Sequence, residues 1–172
     1  MTWLVTGGAG YIGAHVVRAM LADGQEVVVL DDLSTGSAER IPDGARFVQG
    51  SLLDPAALAT ALDGVSGIVH IAGKKQVGES VARPLHYYRE NVAGLVGLLE
   101  ACQERGIDRF VFSSSAATYG MPDVHVFTED TPTDPLSPYG RRKLVGEGIL
   151  AGGPRAVGLG VRPRAYVTLD GA

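Results

Sequence analysis

The sequence predicts an α/β protein, a parallel sheet doubly wound by helices on both faces. Three observations predict it. Short apolar runs (Trp3 to Val5, Val27 to Leu30, Phe47-Val48, Ile68-Val69, Phe110 to Phe112) alternate with stretches of helical periodicity. The longest of these runs are continuous rather than alternating, as in strands covered on both faces. Glycines at 7, 8, 10 and 13 separate the first run from the first helical stretch. Finally, Asp31, Gly73 and Ser113 to Ser115 fall just beyond the ends of runs, where open parallel sheets bind ligands.

The first strand is Trp3 to Thr6, followed by a helix from about Tyr11 to Asp23. Ile12, Val16, Val17, Met20 and Leu21 are its apolar positions, at helical spacing. Gly24 ends it. Between strand and helix, Gly8-x-Gly10-x-x-Gly13 fits the dinucleotide fingerprint, and Gly7-x-x-Gly10-x-x-Gly13 its short-chain-reductase variant. The first glycines permit the tight turn, the middle one lets backbone N–H groups approach a pyrophosphate, and the last lets helix and strand pack closely. The helix N-terminus then faces the phosphates. The second strand, Val27 to Leu30, ends at Asp31, 18 residues after Gly13. That carboxylate is placed to accept hydrogen bonds from the adenosine ribose. A 2′-phosphate would be repelled by Asp31 and Asp32, and no arginine stands beside them, so NAD is expected over NADP.

Leu33 to Gly44 reads as a polar loop and Arg46 to Val48 as the third strand. Asp54-Pro55 marks a helix start, with Asp as the cap and Pro at the first helical position, and the helix runs over 55–62. Gly67 to Gly73 is a fourth strand entering a glycine turn. His70 lies within its apolar run and reads as a buried, hydrogen-bonded histidine. No His, Cys or carboxylate has ligand spacing with it, so no metal is expected. A helix is expected from about Tyr87 to Arg105, closed by Gly106, then a fifth strand, Arg109 to Phe112. A polar, Pro-rich loop over 118–138 leads to a helix from Tyr139 to Leu150. The segment 151–165, rich in Gly, Pro and Arg, reads as loop. The whole is one domain, 1–172, a Rossmann sheet of five or six strands in the order 3-2-1-4-5-6 if the last forms.

Composition fits this reading. The chain has 172 residues, 45% of them hydrophobic and 20% charged, with net charge −4, as in ordinary soluble domains. No basic patch points to nucleic acid or an anionic membrane. No apolar run is long enough to span a bilayer, and no leader is expected. Cys102 is the only cysteine, which agrees with a reducing, cytoplasmic location.

TGGAGYIG, DDLS, HIAGKKQVGES, YYRENVAG, SSSAATYG and SPYGRRK, in this order and spacing, resemble the UDP-glucose 4-epimerase family, a group of extended short-chain dehydrogenases/reductases. The resemblance runs from Thr2 to about Leu150. It implies an isomerase that binds NAD and inverts C4 of a UDP-sugar. Related 4,6-dehydratases carry an acidic pair after the active-site Ser/Thr, where this chain has Ala116-Ala117. The implied catalytic residues are Ser115, Tyr139 and Lys143. Tyr139 and Lys143, four apart, share a helix face. A phenol with the ordinary value near 10 is a poor base at neutral pH, and a lysine ammonium nearby, with the positive nicotinamide, favours its phenolate. Ser115 would hold the sugar hydroxyl, and Tyr139 would take its proton as C4 gives up hydride. The cofactor-binding residues implied are Gly7, Gly10, Tyr11, Ile12, Gly13, Asp31, Ser51, Leu52, Ala72, Gly73, Lys75, Asn91, Ser113, Tyr139 and Lys143. Lys75 would reach the ribose or nicotinamide side, while Lys74 reads as a solvated surface lysine. Asn91 is equally readable as a helix residue with a backbone contact. The resemblance also implies a homodimer through the helix from Tyr87 and the helix from Tyr139.

Three departures stand out. The family has Gly-Asp after the third strand, its Asp reading the adenine amino group, where this chain has Gly50-Ser51; weaker NAD binding is expected. The helix bearing Tyr139 meets Ala151-Gly152-Gly153-Pro154 where the family helix continues. At the family's sixth strand the chain has Ala165-Tyr166-Val167-Thr168, with Thr168 where the family has an Asn. The chain corresponds to the N-terminal half of the family, and the domain that grips the uridine diphosphate is expected to be missing. A non-catalytic NAD-binding module is therefore the alternative reading.

Overall fold

The computed structural model describes residues 1–121, 126–128, 130–157 and 160–164, with side chains for all of these except 77 and 153–164. Six parallel strands form one sheet: β1 (Thr2–Thr6), β2 (Glu26–Asp31), β3 (Arg46–Gln49), β4 (Gly67–His70), β5 (Arg109–Ser113) and β6 (Gly160–Arg164). Their order is β3-β2-β1-β4-β5-β6. The chain direction along the order therefore reverses at β1, and the crevice beyond β1 and β4 is the place where such sheets bind ligands.

The alternating side chains of the strands feed two cores. Leu4, Val28, Leu30, Ile68 and Phe110 pack with α2 (Pro55–Ala61), α5 (Gly94–Glu104) and Leu150 of α6 (Pro138–Val157) on one face. Val5, Val27 and Val29 pack with Val17 of α1 (Tyr11–Ala22) on the other. This two-sided burial is why the strands are continuously apolar. The Asp54 carboxylate accepts from the N–H groups of Ala56 and Ala57, capping α2 as expected. His70 is buried, and its Nδ1 lies 2.7 Å from the Thr6 hydroxyl. Burial, with a smaller push from Lys143, takes its imidazole down to about 3, so it stays neutral.

Two expectations are corrected. The helix expected from about Tyr87 starts earlier, as α4 (Pro84–Tyr88) after α3 (Val77–Ala82), and it is not uniform: a π-helical turn, Arg89–Ala93, joins α4 to α5. The segment 151–165 is mostly not loop. Helix α6 continues through Gly152, Gly153 and Pro154 to Val157, and β6 follows. Gly costs a helix about 1 kcal/mol and Pro about 3, but packing decides here. Leu150 is 1% exposed, and a Cβ on Gly146 would lie 2.7 Å from the Phe112 ring, so α6 is pressed onto the sheet. β6 then pairs along the whole of β5, from Arg109↔Gly160 to Ser113↔Arg164. Its Pro163 suits an edge strand, which can spare an N–H. The stretch 165–168, expected at the end of the sixth strand, lies outside the described residues.

Candidate functional site: a crevice at the carboxyl ends of the strands

The turn after β1 is built from backbone in close contact. Gly7 adopts φ +74°, and a Cβ there would lie 2.7 Å from the Ala72 nitrogen. A Cβ on Gly13 would lie 2.1 Å from the Gly7 carbonyl oxygen. Gly13 thus holds α1 against the turn and does not line the crevice, unlike the other expected binding residues. No side chain caps α1 at Gly10, and no acid sits in its first turn. The N–H groups of that turn and their positive dipole end are left for an anion. Tyr11 and Ile12, at the same rim, are 57% and 42% exposed.

Asp31 ends β2 and is 9% exposed. Its Oδ2 accepts from the Ala9 N–H at 3.0 Å and its Oδ1 from the Leu33 N–H at 2.9 Å. The carboxylate is thereby fixed beside the glycine turn with lone pairs to spare. Ser51, in the loop after β3, lines the same crevice, its Oγ accepting from the Leu53 N–H at 3.1 Å.

The far wall is β5 and α6. Ser115 is buried, and its Oγ accepts from the Ala117 N–H at 3.2 Å, which leaves its own proton free to donate. Lys143 donates to the Ser113 carbonyl at 2.6 Å. Burial above all, then the neighbouring Arg142, brings the Lys143 ammonium down to about 8, against the opposing pull of Glu147. Glu147 accepts from the Ser114 hydroxyl. Tyr139 and Lys143 border one crevice with Ser113, Ser115, Gly7, Gly10, Asp31, Ser51, Leu52, Ala72, Gly73, Lys75 and Asn91.

Sequence reasoning missed two cations here. Arg142 is 3% exposed, yet no described carboxylate pairs with it. Its guanidinium donates to the carbonyls of Lys74 (3.0 Å), Pro138 (3.3 Å) and Tyr87 (3.5 Å). It also lies 4.7 Å from the centre of the Tyr87 ring and 5.2 Å from that of Tyr139. Lys74, expected to be solvated, is instead anchored. Asn91 accepts from its N–H at 2.8 Å and donates to its carbonyl at 3.2 Å. Its ammonium donates to Ser34 Oγ at 2.6 Å and lies 3.6 Å from Asp32. Burial raises the Asp32 carboxyl, but hydrogen bonds from Ser34 and the charge of Lys74 outweigh it and hold Asp32 below the usual carboxylate range. Asn91, one of the expected site residues, thus fixes the loop after β4 from within a π-helical turn, a frequent feature of functional sites.

The sequence profile of the NAD dependent epimerase/dehydratase family matches residues 3–160. The UDP-glucose 4-epimerase of Lactobacillus helveticus is 41% identical over all of this chain and 53% of its own length. A crystal structure of a UDP-glucose 4-epimerase superposes with a TM-score of 0.96 at 41% identity, over 100% of this chain and 53% of that one. The Brucella ovis UDP-glucose 4-epimerase, solved in complex with NAD, gives 0.94 at 39% identity, over 99% and 53%. The chain spans about half the length of the curated relatives it matches. Among the described residues, no helix is long and apolar enough to cross a membrane.

Proposed function

The chain belongs to the NAD dependent epimerase/dehydratase family, and we propose that it carries the NAD-binding and proton-transferring machinery of a C4 epimerase of UDP-sugars, of the UDP-glucose/UDP-galactose type. One observation carries this reading: Ser115, Tyr139 and Lys143 border the same crevice as the glycine turn and Asp31. The residues fit a dinucleotide. The uncapped first turn of α1 suits a pyrophosphate, Asp31 suits a ribose diol, and Tyr11 and Ile12 offer apolar cover.

Bound NAD supplies the acceptor for the hydride that leaves C4. Tyr139, as phenolate, takes the proton of the 4-hydroxyl. Ser115, its Oγ engaged as an acceptor by Ala117, donates its own proton to that sugar oxygen and orients it. Lys143, an ammonium below about pH 8 and fixed by the Ser113 carbonyl, favours the phenolate electrostatically. Once the sugar presents its other face, Tyr139 would return the proton to the 4-oxygen, and the cycle closes with no net oxidation.

A second reading is a binding module without turnover, since the described crevice presents the groups for a dinucleotide, and catalysis further needs a remote nucleotide held to position the reacting sugar. The test is conversion of UDP-galactose by the purified chain, with Tyr139→Phe as blank. Turnover in the range of about 1–10³ per second, lost in the variant, supports the epimerase. NAD binding without turnover supports the module. We also propose a homodimer through α4, α5 and α6, where Leu85, Tyr88, Val96 and Val145 are exposed. A monomer by light scattering at high micromolar concentration refutes it.

A further inference from the structure

We propose that Lys74 is a cofactor-specificity residue, whose ammonium cancels the charge of Asp32 at the ribose end of the crevice and leaves Asp31 alone to discriminate against a 2′-phosphate. The inference rests on the dinucleotide reading of the crevice.

Two consecutive carboxylates at the end of a second strand argue for strong exclusion of a phosphorylated ribose. The structure makes them unequal. Asp31 holds only neutral partners, the N–H groups of Ala9 and Leu33, so its charge stays uncompensated at the crevice wall. Asp32 is compensated twice. Its Oδ2 lies 3.6 Å from Lys74 Nζ. Its Oδ1 accepts from the Ser34 hydroxyl at 2.5 Å, and that hydroxyl accepts from Lys74 Nζ at 2.6 Å. A chain of donors therefore runs from the ammonium to the carboxylate.

Exposed ion pairs contribute little, largely because a long side chain must be ordered to make them. Lys74 differs in being rooted. Its N–H and carbonyl are both held by Asn91, and Arg142 donates to the same carbonyl. Its side chain is 21% exposed. An ammonium has three donors. One is given to Ser34 Oγ, and Asp32 at 3.6 Å is an ion pair beyond hydrogen-bond reach, so donor capacity remains for a phosphate oxygen. The ribose end of the crevice thus presents one net negative charge, from Asp31, with a cation beside it.

The experiment measures displacement of radiolabelled NAD by NAD and by NADP from the purified chain, giving the ratio of Kd for NADP to Kd for NAD. Lys74→Met exposes the Asp32 charge and should raise that ratio by about tenfold, the scale of one charge-assisted contact. Asp32→Asn frees the ammonium and should lower it. Lys74→Arg keeps the charge and should leave the ratio within about threefold of the parent. Thermal melts identify any variant that is not folded, and Lys74→Met and Asp32→Asn give opposite signs, so loss of one leaves the other decisive. A ratio that is unmoved or lowered in Lys74→Met, or raised in Asp32→Asn, overturns the role of Lys74 while leaving NAD binding standing. Failure of the parent chain to bind either dinucleotide overturns the reading of the crevice itself, and the proposal with it.

Discussion

Gly13→Ala tests whether the glycine turn is set by close packing. The added methyl would stand 2.1 Å from the Gly7 carbonyl oxygen, 2.7 Å from Gly8 Cα and 2.8 Å from the Gly7 carbonyl carbon. All three neighbours are backbone, so no side chain can rotate away, and the nearest contact is roughly 1 Å too short. Overpacking costs about 1–3 kcal/mol where side chains can adjust; here the upper end is expected. The Gly7 N–H donates to Leu30 and its carbonyl accepts from Gly10, so the strain passes directly to the glycine turn. Two other glycines calibrate the effect. Gly24 has open space around it but φ +75°, so Ala there costs about 1–2 kcal/mol for the left-handed backbone. Gly148 is helical, exposed and open, and Ala there should stabilise by about 1 kcal/mol. Urea unfolding of the three variants, with slopes near 2 kcal/mol/M, should place Gly13→Ala lowest, about 1–1.5 M below the parent. NAD binding should be lost in that variant even where it is folded. If Gly13→Ala is as stable as Gly24→Ala, the close approach of α1 to the turn is not what requires glycine.

Asp31→Ala should weaken NAD binding by about 1.5–3 kcal/mol, the scale of a hydrogen bond to a charged group; calorimetric titration with NAD and NADP checks both the loss and the parent's preference for NAD. Ser51→Asp should tighten NAD by roughly 1 kcal/mol if a carboxylate reads the adenine amino group, and unchanged affinity would mean that adenine is held otherwise. For Lys143, burial lowers the ammonium from its ordinary 10.5 to about 8, so between those pH values the unfolded chain binds the extra proton and stability rises with pH. Lys143→Met should accordingly be more stable than the parent at pH 7, the difference shrinking as pH climbs through 8 towards 10.5. Urea midpoints across that range test the sign. NAD affinity should fall as pH passes 8 in the parent and stay flat in Lys143→Met.

What could be read in advance was what local pattern and spacing encode. Strands covered on both faces must be apolar throughout, and the Asp54-Pro55 cap announces a helix by its own chemistry. The glycine turn, Asp31, Ser115 and Tyr139 with Lys143 could be singled out because close backbone approach, and the ribose recognition and proton transfer proposed for them, each demand a residue type at a fixed separation, and the structure brings them to one crevice. Helix α6 beyond Leu150 was misread because glycine and proline were weighed as local signals, whereas burial of Leu150 and pairing of β6 with β5 decide that segment. Arg142 and Lys74 escaped for a different reason. Arg142 is held by carbonyls from Lys74, 68 positions away, and Tyr87, 55 away. Every residue has a carbonyl, so no residue type marks such an acceptor. Lys74 pairs with Asp32 and Ser34 only because β2 and β4 end at the same edge of the sheet, on either side of β1. Arg142 ties α6, and Asn91 the π-helical turn, to the Lys74 backbone, and the Lys74 ammonium ties that backbone to the loop after β2. The two ends of the crevice are therefore mechanically joined through one residue, a coupling that only the folded arrangement discloses.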